Sequence, residues 1–125
     1  MRVPLQLALL AAPLVLAACA AATQWGDSLR DPNRLTAIEI QAVSAHSALE
    51  AVRQLRAVWL QGRRSSGVYP VVYVDNIRMG GPAVLERIWV QNIFELRFMS
   101  GLDATTRYGT GHTGGAILVF TRHST

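Results

Sequence analysis

The fold of this chain is decided by the stretch Gly114-Gly115-Ala116-Ile117-Leu118-Val119-Phe120-Thr121-Arg122. Its middle part, residues 116–120, is an unbroken apolar run, which is typical of a central strand that is covered on both faces. The two glycines before this run belong to a glycine-rich loop at residues 109–115, which indicates a tight connection into the strand. We therefore predict a sheet with residues 116–120 in its interior.

Upstream of the loop, residues 93–99 alternate and predict a second strand with one face in a core. The apolar side chains of the face expected in the core are Phe94, Leu96 and Phe98. The other face carries Glu95 and Arg97, flanked by Ile93 and Met99, and we interpret the two charges as a solvated or cross-strand ion pair. Between the two strands, Asp103 is expected to cap a single helical turn at residues 104–108, which Gly109 ends.

A hairpin is predicted further upstream. Residues 71–74 are β-branched and aromatic, Asp75-Asn76 suits a tight turn with positive φ, and residues 77–79 form the return strand. Pro82 then begins a brief helix. The apolar residues that this helix should bury are Val84, Leu85 and Ile88.

Two capping boxes predict helices nearer the N-terminus, one at Thr36 to Glu39 and one at Ser47 to Glu50. The second helix carries an apolar stripe and ends near Gly62. The residues of that stripe are Leu49, Val52, Leu55 and Trp59. Together these elements predict a small α+β domain, in which a short mixed β-sheet is packed by two or three short helices.

The first 18 residues have the pattern of a lipoprotein signal peptide. Arg2 is followed by an apolar segment at residues 5–16, and Leu16-Ala17-Ala18-Cys19 fits the site at which lipoproteins are cut before a cysteine. We predict lipidation of Cys19, the only cysteine, with an ordinary secretory signal and an incidental cysteine as the alternative. Residues 19–35 are then a flexible tether and residues 36–125 the domain.

Charge and composition argue against several classes of function. The basic residues are all arginine, they exceed the acidic residues by four, and they are scattered, with Arg63-Arg64 as the only adjacent pair. Nucleic-acid binding would require a clustered stripe. The G-x-G-x-x-G pattern at residues 109–114 leads into a strand instead of opening a helix, so a nucleotide site is not favoured.

Metal binding and catalysis are not favoured either. The three histidines, His46, His112 and His123, are widely separated, and we expect them to be exposed to solvent. Ser100, Asp103 and His112 can be drawn as a catalytic trio, but no nucleophile-elbow sequence surrounds the serine. We therefore predict that the protein is not an enzyme and has no cofactor.

The order of these motifs resembles the plug domain of TonB-dependent outer-membrane receptors. The motifs that correspond to those of the plug are Tyr73-Val74-Asp75-Asn76, the strand at 93–99, Tyr108-Gly109 and the strand at 114–122. The resemblance covers roughly residues 36–122 and implies the plug fold. The family usually has glycine where this chain has Asn76, which also tolerates the left-handed conformation.

The resemblance has limits that shape the predicted function. We expect no barrel to follow Thr125, we find no convincing TonB box between residues 19 and 36, and the predicted lipid anchor departs from receptor architecture. We therefore expect a non-enzymatic, lipid-anchored, plug-like interaction module at the periplasmic face of the outer membrane. Ala20, where an aspartate would favour inner-membrane retention, supports this location by a rule for lipoproteins in general.

The expected partners are the membrane itself and an outer-membrane barrel, a TonB-type protein or another envelope protein. The residues expected to form the interaction surface are Asp75, Asn76, Tyr108, Gly109, Gly111 and His112. The alternative is an envelope lipoprotein that binds a small ligand with the loop at residues 109–115.

Overall fold

The computed structural model describes residues 30–62 and 66–123, so the predicted signal peptide, Cys19, most of the tether and the Arg63-Arg64 pair lie outside the described residues. Five strands form one mixed sheet in the order β1-β4-β5-β2-β3. The strands are β1 (Arg34–Thr36), β2 (Val71–Val74), β3 (Ile77–Gly80), β4 (Ile93–Met99) and β5 (Ala116–Thr121). The α-helices are α1 (Ala37–Gln41), α2 (Ala48–Leu55) and α3 (Gly101–Tyr108). The predicted α+β class, with a short mixed sheet and short helices, is confirmed.

Strand β5 is central, as its apolar run predicted. It pairs in parallel with β2 and antiparallel with β4, and its residues from Ala116 to Val119 are buried. Both faces are covered because α1 and α2 pack on one side of the sheet and α3 on the other. A polar residue in this run would have to be buried, which explains why the run is apolar.

Helices α1 and α2 begin at the two predicted caps, Thr36 and Ser47. Thr36 and Glu39 form the reciprocal capping box of α1, and the Ser47 hydroxyl accepts a hydrogen bond from the Glu50 backbone N–H at the start of α2. Helix α2 ends at Leu55, and a separate 3₁₀ turn, Ala57–Leu60, carries Trp59 into the core. Two further 3₁₀ segments, Pro82–Arg87 and Val90–Asn92, complete the layer.

Strand β4 departs from the predicted alternation at its first residues. Ile93 is fully buried, whereas Phe94, which was expected in the core, is exposed. The pairing with β5 shifts between Ile93 and Glu95, so β4 has one extra residue there. Such a bulge moves Ile93 to the core face and turns Phe94 outward. Leu96 and Phe98 lie on the core side as predicted, and Phe98 stacks on Trp59 with ring centroids 5.7 Å apart.

Helix α3 is longer than predicted and has a different cap. It runs from Gly101 to Tyr108, and the Ser100 hydroxyl, not Asp103, accepts the capping hydrogen bond, which comes from the Asp103 backbone N–H at 3.2 Å. Asp103 instead accepts a 2.7 Å hydrogen bond from the Ser100 hydroxyl and places a carboxylate in the first turn. Gly109, with φ of 93°, ends the helix as expected.

The domain begins earlier than the sequence suggested. Leu35 is fully buried and pairs with Leu96, although it was assigned to the tether. The indole N–H of Trp59 donates a 3.1 Å hydrogen bond to the carbonyl of Pro32, and the compact unit starts at Asp31. Residues 31–35 therefore belong to the domain. Within residues 30–62 and 66–123, no helix combines the length and the apolar character that crossing a membrane requires.

Candidate functional site

Three rings stack on the α3 side of the sheet. Tyr73 of β2 and Tyr108 of α3 have ring centroids 4.2 Å apart, and the His112 ring lies 5.8 Å from Tyr73. The Tyr73 hydroxyl is 2.7 Å from Nε2 of His112, and Nδ1 of the same ring is 3.0 Å from the Gly109 carbonyl. In the tautomer that satisfies both contacts, Nδ1 donates to the Gly109 carbonyl, which can only accept, and Nε2 accepts from the Tyr73 hydroxyl. Tyr73, Tyr108 and His112 are called the aromatic cluster below.

His112 is only 2% exposed, so the expectation that all three histidines face solvent is wrong for this one. His46 and His123 are exposed. The glycine-rich loop that carries His112 passes very close to the backbone of Val68 and Tyr69. A Cβ at Gly114 would lie 2.6 Å from the Tyr69 carbonyl oxygen, so only glycine fits there.

The Asp75-Asn76 turn has the predicted conformation, with φ of 46° and 67°. The Asp75 carboxylate forms hydrogen bonds within the domain. Asp75 Oδ1 accepts a 2.9 Å hydrogen bond from the Thr121 backbone N–H, and Oδ2 accepts one of 2.6 Å from the Thr121 hydroxyl. These bonds join the hairpin to the end of β5, while the Asn76 side of the turn is exposed.

The six residues predicted to form one interaction surface differ in their burial. The glycine-rich loop meets β2 at Val71, whose N–H donates to the Gly115 carbonyl, whereas Asp75 lies beyond the other end of that strand. Tyr108 and His112 nevertheless pack against Tyr73, which is only two residues before Asp75. Asn76, Gly109 and Gly111 are exposed, Asp75 and Tyr108 are half-buried, and His112 is buried. His112 is therefore not available at the surface, whereas a shared surface formed by the other five residues stays a prediction.

A second site lies on the same face of the sheet as α3 and centres on Glu95. The Glu95 side chain is 5% exposed and accepts hydrogen bonds from Arg34 of β1, at 2.9 Å, and from Arg97. Burial raises the pKa of the Glu95 carboxyl, but the hydrogen bonds and charges of Arg97 and Arg34 outweigh it, and the pKa is lowered from its ordinary value. The carboxylate in turn raises the pKa of Arg97.

Sequence reasoning found only half of this arrangement. Glu95 and Arg97 were correctly expected to pair, because residues two apart on a strand share a face, but Glu95 is buried and not solvated. Arg34 was assigned to the tether, and its position opposite Arg97 depends on the pairing of β1 with β4. The short alternating stretch Arg34–Thr36 was a weak signal for that strand.

The trio of Ser100, Asp103 and His112 is not assembled as a catalytic triad. Ser100 and Asp103 bond each other at the start of α3, while His112 bonds Tyr73 and Gly109. Residues 30–62 and 66–123 contain no group of three or more histidine, cysteine or acidic side chains that could hold a metal ion.

The fold and its contacts define a small mixed α+β domain with one helix on one face of the sheet and a helical layer on the other. Comparison of the chain with protein-family models, with curated proteins and with solved structures finds no match.

Proposed function

We propose that this protein is a non-enzymatic interaction module of the cell envelope, held at the periplasmic face of the outer membrane by a lipid on Cys19 and related in fold to the plug domain of TonB-dependent receptors. Its partner is an envelope protein, such as a barrel or a TonB-type protein. Anchoring to the membrane raises the effective concentration of the module toward partners in that plane.

The relationship to plug domains is supported by the contacts that the motif residues make. Asp75 of the hairpin bonds Thr121 at the end of β5, and Tyr73 of the hairpin stacks on Tyr108 beside the glycine-rich loop. Residues that are distant in the chain thus depend on one another, which gives a physical reason for the motifs to occur together. The same contacts indicate that most of these residues maintain the fold rather than meet a partner.

The observation that carries the interaction proposal is the exposure of two large aromatic side chains, Trp89 at 63% and Phe94 at 60%. They flank the 3₁₀ segment Val90–Asn92, at the start of β4. The bulge turns Phe94 outward at a position where the alternating pattern would bury it. Covering exposed apolar surface is worth roughly 25 cal/mol per Å², and aromatic side chains frequently dominate interface energies. We therefore place the partner on Trp89 and Phe94.

Site-specific photo-crosslinking in intact cells tests this proposal. A photoreactive amino acid at position 89 or 94 should give an adduct of one discrete size, whereas the same substitution at Leu102 should not. Leu102 is a matched control because it is also apolar and is 79% exposed, but lies on α3. Equal adducts at all three positions, or none at 89 and 94, would refute a partner at this surface.

The lipid anchor requires a separate test. Cys19→Ala should leave the protein unprocessed or no longer pelleting as a lipoprotein, and should weaken the adducts at positions 89 and 94. Mass spectrometry of the wild-type N-terminal peptide should find acyl chains on Cys19. An unmodified thiol at Cys19, with unchanged membrane pelleting of the variant, would refute the anchor. The crosslinking at positions 89 and 94 would still test the partner surface.

A further inference from the structure

A depression of about 330 Å³ lies on the α3 side of the sheet, beside β1, β4 and β5. Leu118 and Phe120 of β5 give it apolar lining. Three arginines line it as well, namely Arg34, Arg97 and Arg107. Its volume falls in the range of small-molecule sites, roughly 300–1,000 Å³.

Glu95 holds two of these arginines together. Arg34 and Arg97 are directly opposite each other on β1 and β4, an arrangement of like charges that is unfavourable by itself. One buried carboxylate accepts from both, which makes the arrangement possible but neutralises only one of the two charges. Arg97 uses Nε for Glu95, and within residues 30–62 and 66–123 its two terminal nitrogens have no hydrogen-bond acceptor. The side chains of Arg34 and Arg97 are 47% and 53% exposed, respectively.

Arg107 adds a third cation from the last turn of α3. Its guanidinium lies over the Tyr108 ring, 5.3 Å from the centroid, and it forms no ion pair with a carboxylate of residues 30–62 or 66–123. Asp31 also lines the depression and acts on Arg97 through its charge. The three arginines together with the two carboxylates, Asp31 of the lining and Glu95 beside it, carry a net charge of one positive unit.

We propose that this depression binds a small amphiphilic oxyanion, a phosphate or carboxylate group carried on an apolar body. Guanidinium groups present paired donors that match the oxygens of such groups in a bidentate manner. Leu118 and Phe120 offer the apolar body a surface, and Arg97 already lies over the Phe120 ring, 5.6 Å from its centroid. The site is independent of the partner surface at Trp89 and Phe94, and of the lipid anchor.

Calorimetric titration of the purified full chain with phenyl phosphate tests this site. Phenyl phosphate should bind more tightly than inorganic phosphate, because only the former has an apolar body, and benzyl alcohol should not bind. Arg107→Gln should weaken the affinity for phenyl phosphate roughly tenfold or more, since it removes a charge-assisted contact. Arg53→Gln, an exposed arginine on α2, should leave the affinity unchanged.

The outcomes that would overturn the proposal are distinct. Absence of phenyl phosphate binding would refute the site. Equal losses for Arg107→Gln and Arg53→Gln would show attraction to net charge only, and tighter binding of inorganic phosphate would refute the apolar contact. Thermal unfolding of both variants checks that they remain folded, which is expected because Arg107 makes no ion pair within the described residues.

A second measurement identifies the source of the oxyanion. Phosphatidylcholine vesicles that contain phosphatidylglycerol should compete with phenyl phosphate if the natural ligand is a lipid headgroup, whereas pure phosphatidylcholine vesicles should not. Phenyl phosphate binding without such competition assigns the site to a free amphiphile. Both results support an oxyanion site at Arg107.

Discussion

Three tyrosine-to-phenylalanine variants, two in the aromatic cluster and one outside it as a control, test the hydrogen bonds of the cluster. In Tyr73→Phe the buried His112 ring loses the donor to its Nε2, which is 2.7 Å away in the wild type. A buried acceptor left without a partner costs about 1–3 kcal/mol. For a domain of this size, each kcal/mol lowers Tm by roughly 4–8 °C. We therefore expect Tyr73→Phe to lower Tm by roughly 4 °C or more.

The same change at Tyr108 should have the opposite sign. The Tyr108 hydroxyl is buried and has no hydrogen-bond partner in the part of the chain that the structure describes. The wild type bears the cost of this unsatisfied group, so Tyr108→Phe should leave the free energy of unfolding unchanged or raise it by up to about 2 kcal/mol. Both rings stay in place, because stacking of Tyr73 on Tyr108 does not require either hydroxyl.

Tyr69→Phe is the matched control, since Tyr69 is 61% exposed and its hydroxyl remains hydrated in either state. Urea unfolding and a thermal scan of the three variants measure the differences. The expected order of stability is Tyr108→Phe at or above wild type, Tyr69→Phe near wild type, and Tyr73→Phe clearly below. A loss for Tyr108→Phe as large as that for Tyr73→Phe would refute the hydrogen-bond assignment.

Three further changes test other contacts. Asp75→Ala removes both hydrogen bonds to Thr121 and puts alanine at positive φ, so urea unfolding should show a loss of about 2–4 kcal/mol; a loss below about 1 kcal/mol would contradict this role. Glu95→Gln should cost about 1–3 kcal/mol near neutral pH. Because the folded-state pKa of Glu95 is lowered, the extra stability of the wild type over Glu95→Gln should be lost as pH falls below 4.5. A stability difference between the two proteins that stays constant with pH would rule out the carboxylate as its source. Gly101→Ala brings a Cβ within 2.3 Å of the Thr113 carbonyl oxygen and should lower Tm. Gly81→Ala is the control, because a Cβ at Gly81 meets open space. Equal Tm values for the two variants would show that the close approach at Gly101 relaxes freely.

Much of the local structure could be predicted from the residues alone. The hairpin turn at Asp75-Asn76, the capping box at Thr36 and the central apolar strand β5 were all predicted and are present. Each of these depends on backbone conformation or on hydrogen bonds between residues a few positions apart. Such signals are complete within a short window of sequence.

The predictions were wrong where a local sequence pattern is compatible with more than one structure. Asp103 fits a cap, but Ser100 three residues earlier fits as well and begins the helix one turn sooner. Phe94 fits the buried face of an alternating strand, yet one extra residue in β4 reverses its direction. A bulge leaves little trace in a single sequence, because it depends on the partner strand.

The sequence by itself determined the α+β class, the positions of most strands and helices, and the turn residues, because short-range hydrogen bonds and apolar periodicity require nothing from the rest of the chain. Only the tertiary structure decided that His112 is buried against Tyr73, 39 positions away, and that Arg34 meets Glu95, 61 positions away. Both contacts depend on which strands are neighbours in the sheet. The strand order is a property of the whole sheet, so these contacts become visible only in the folded domain.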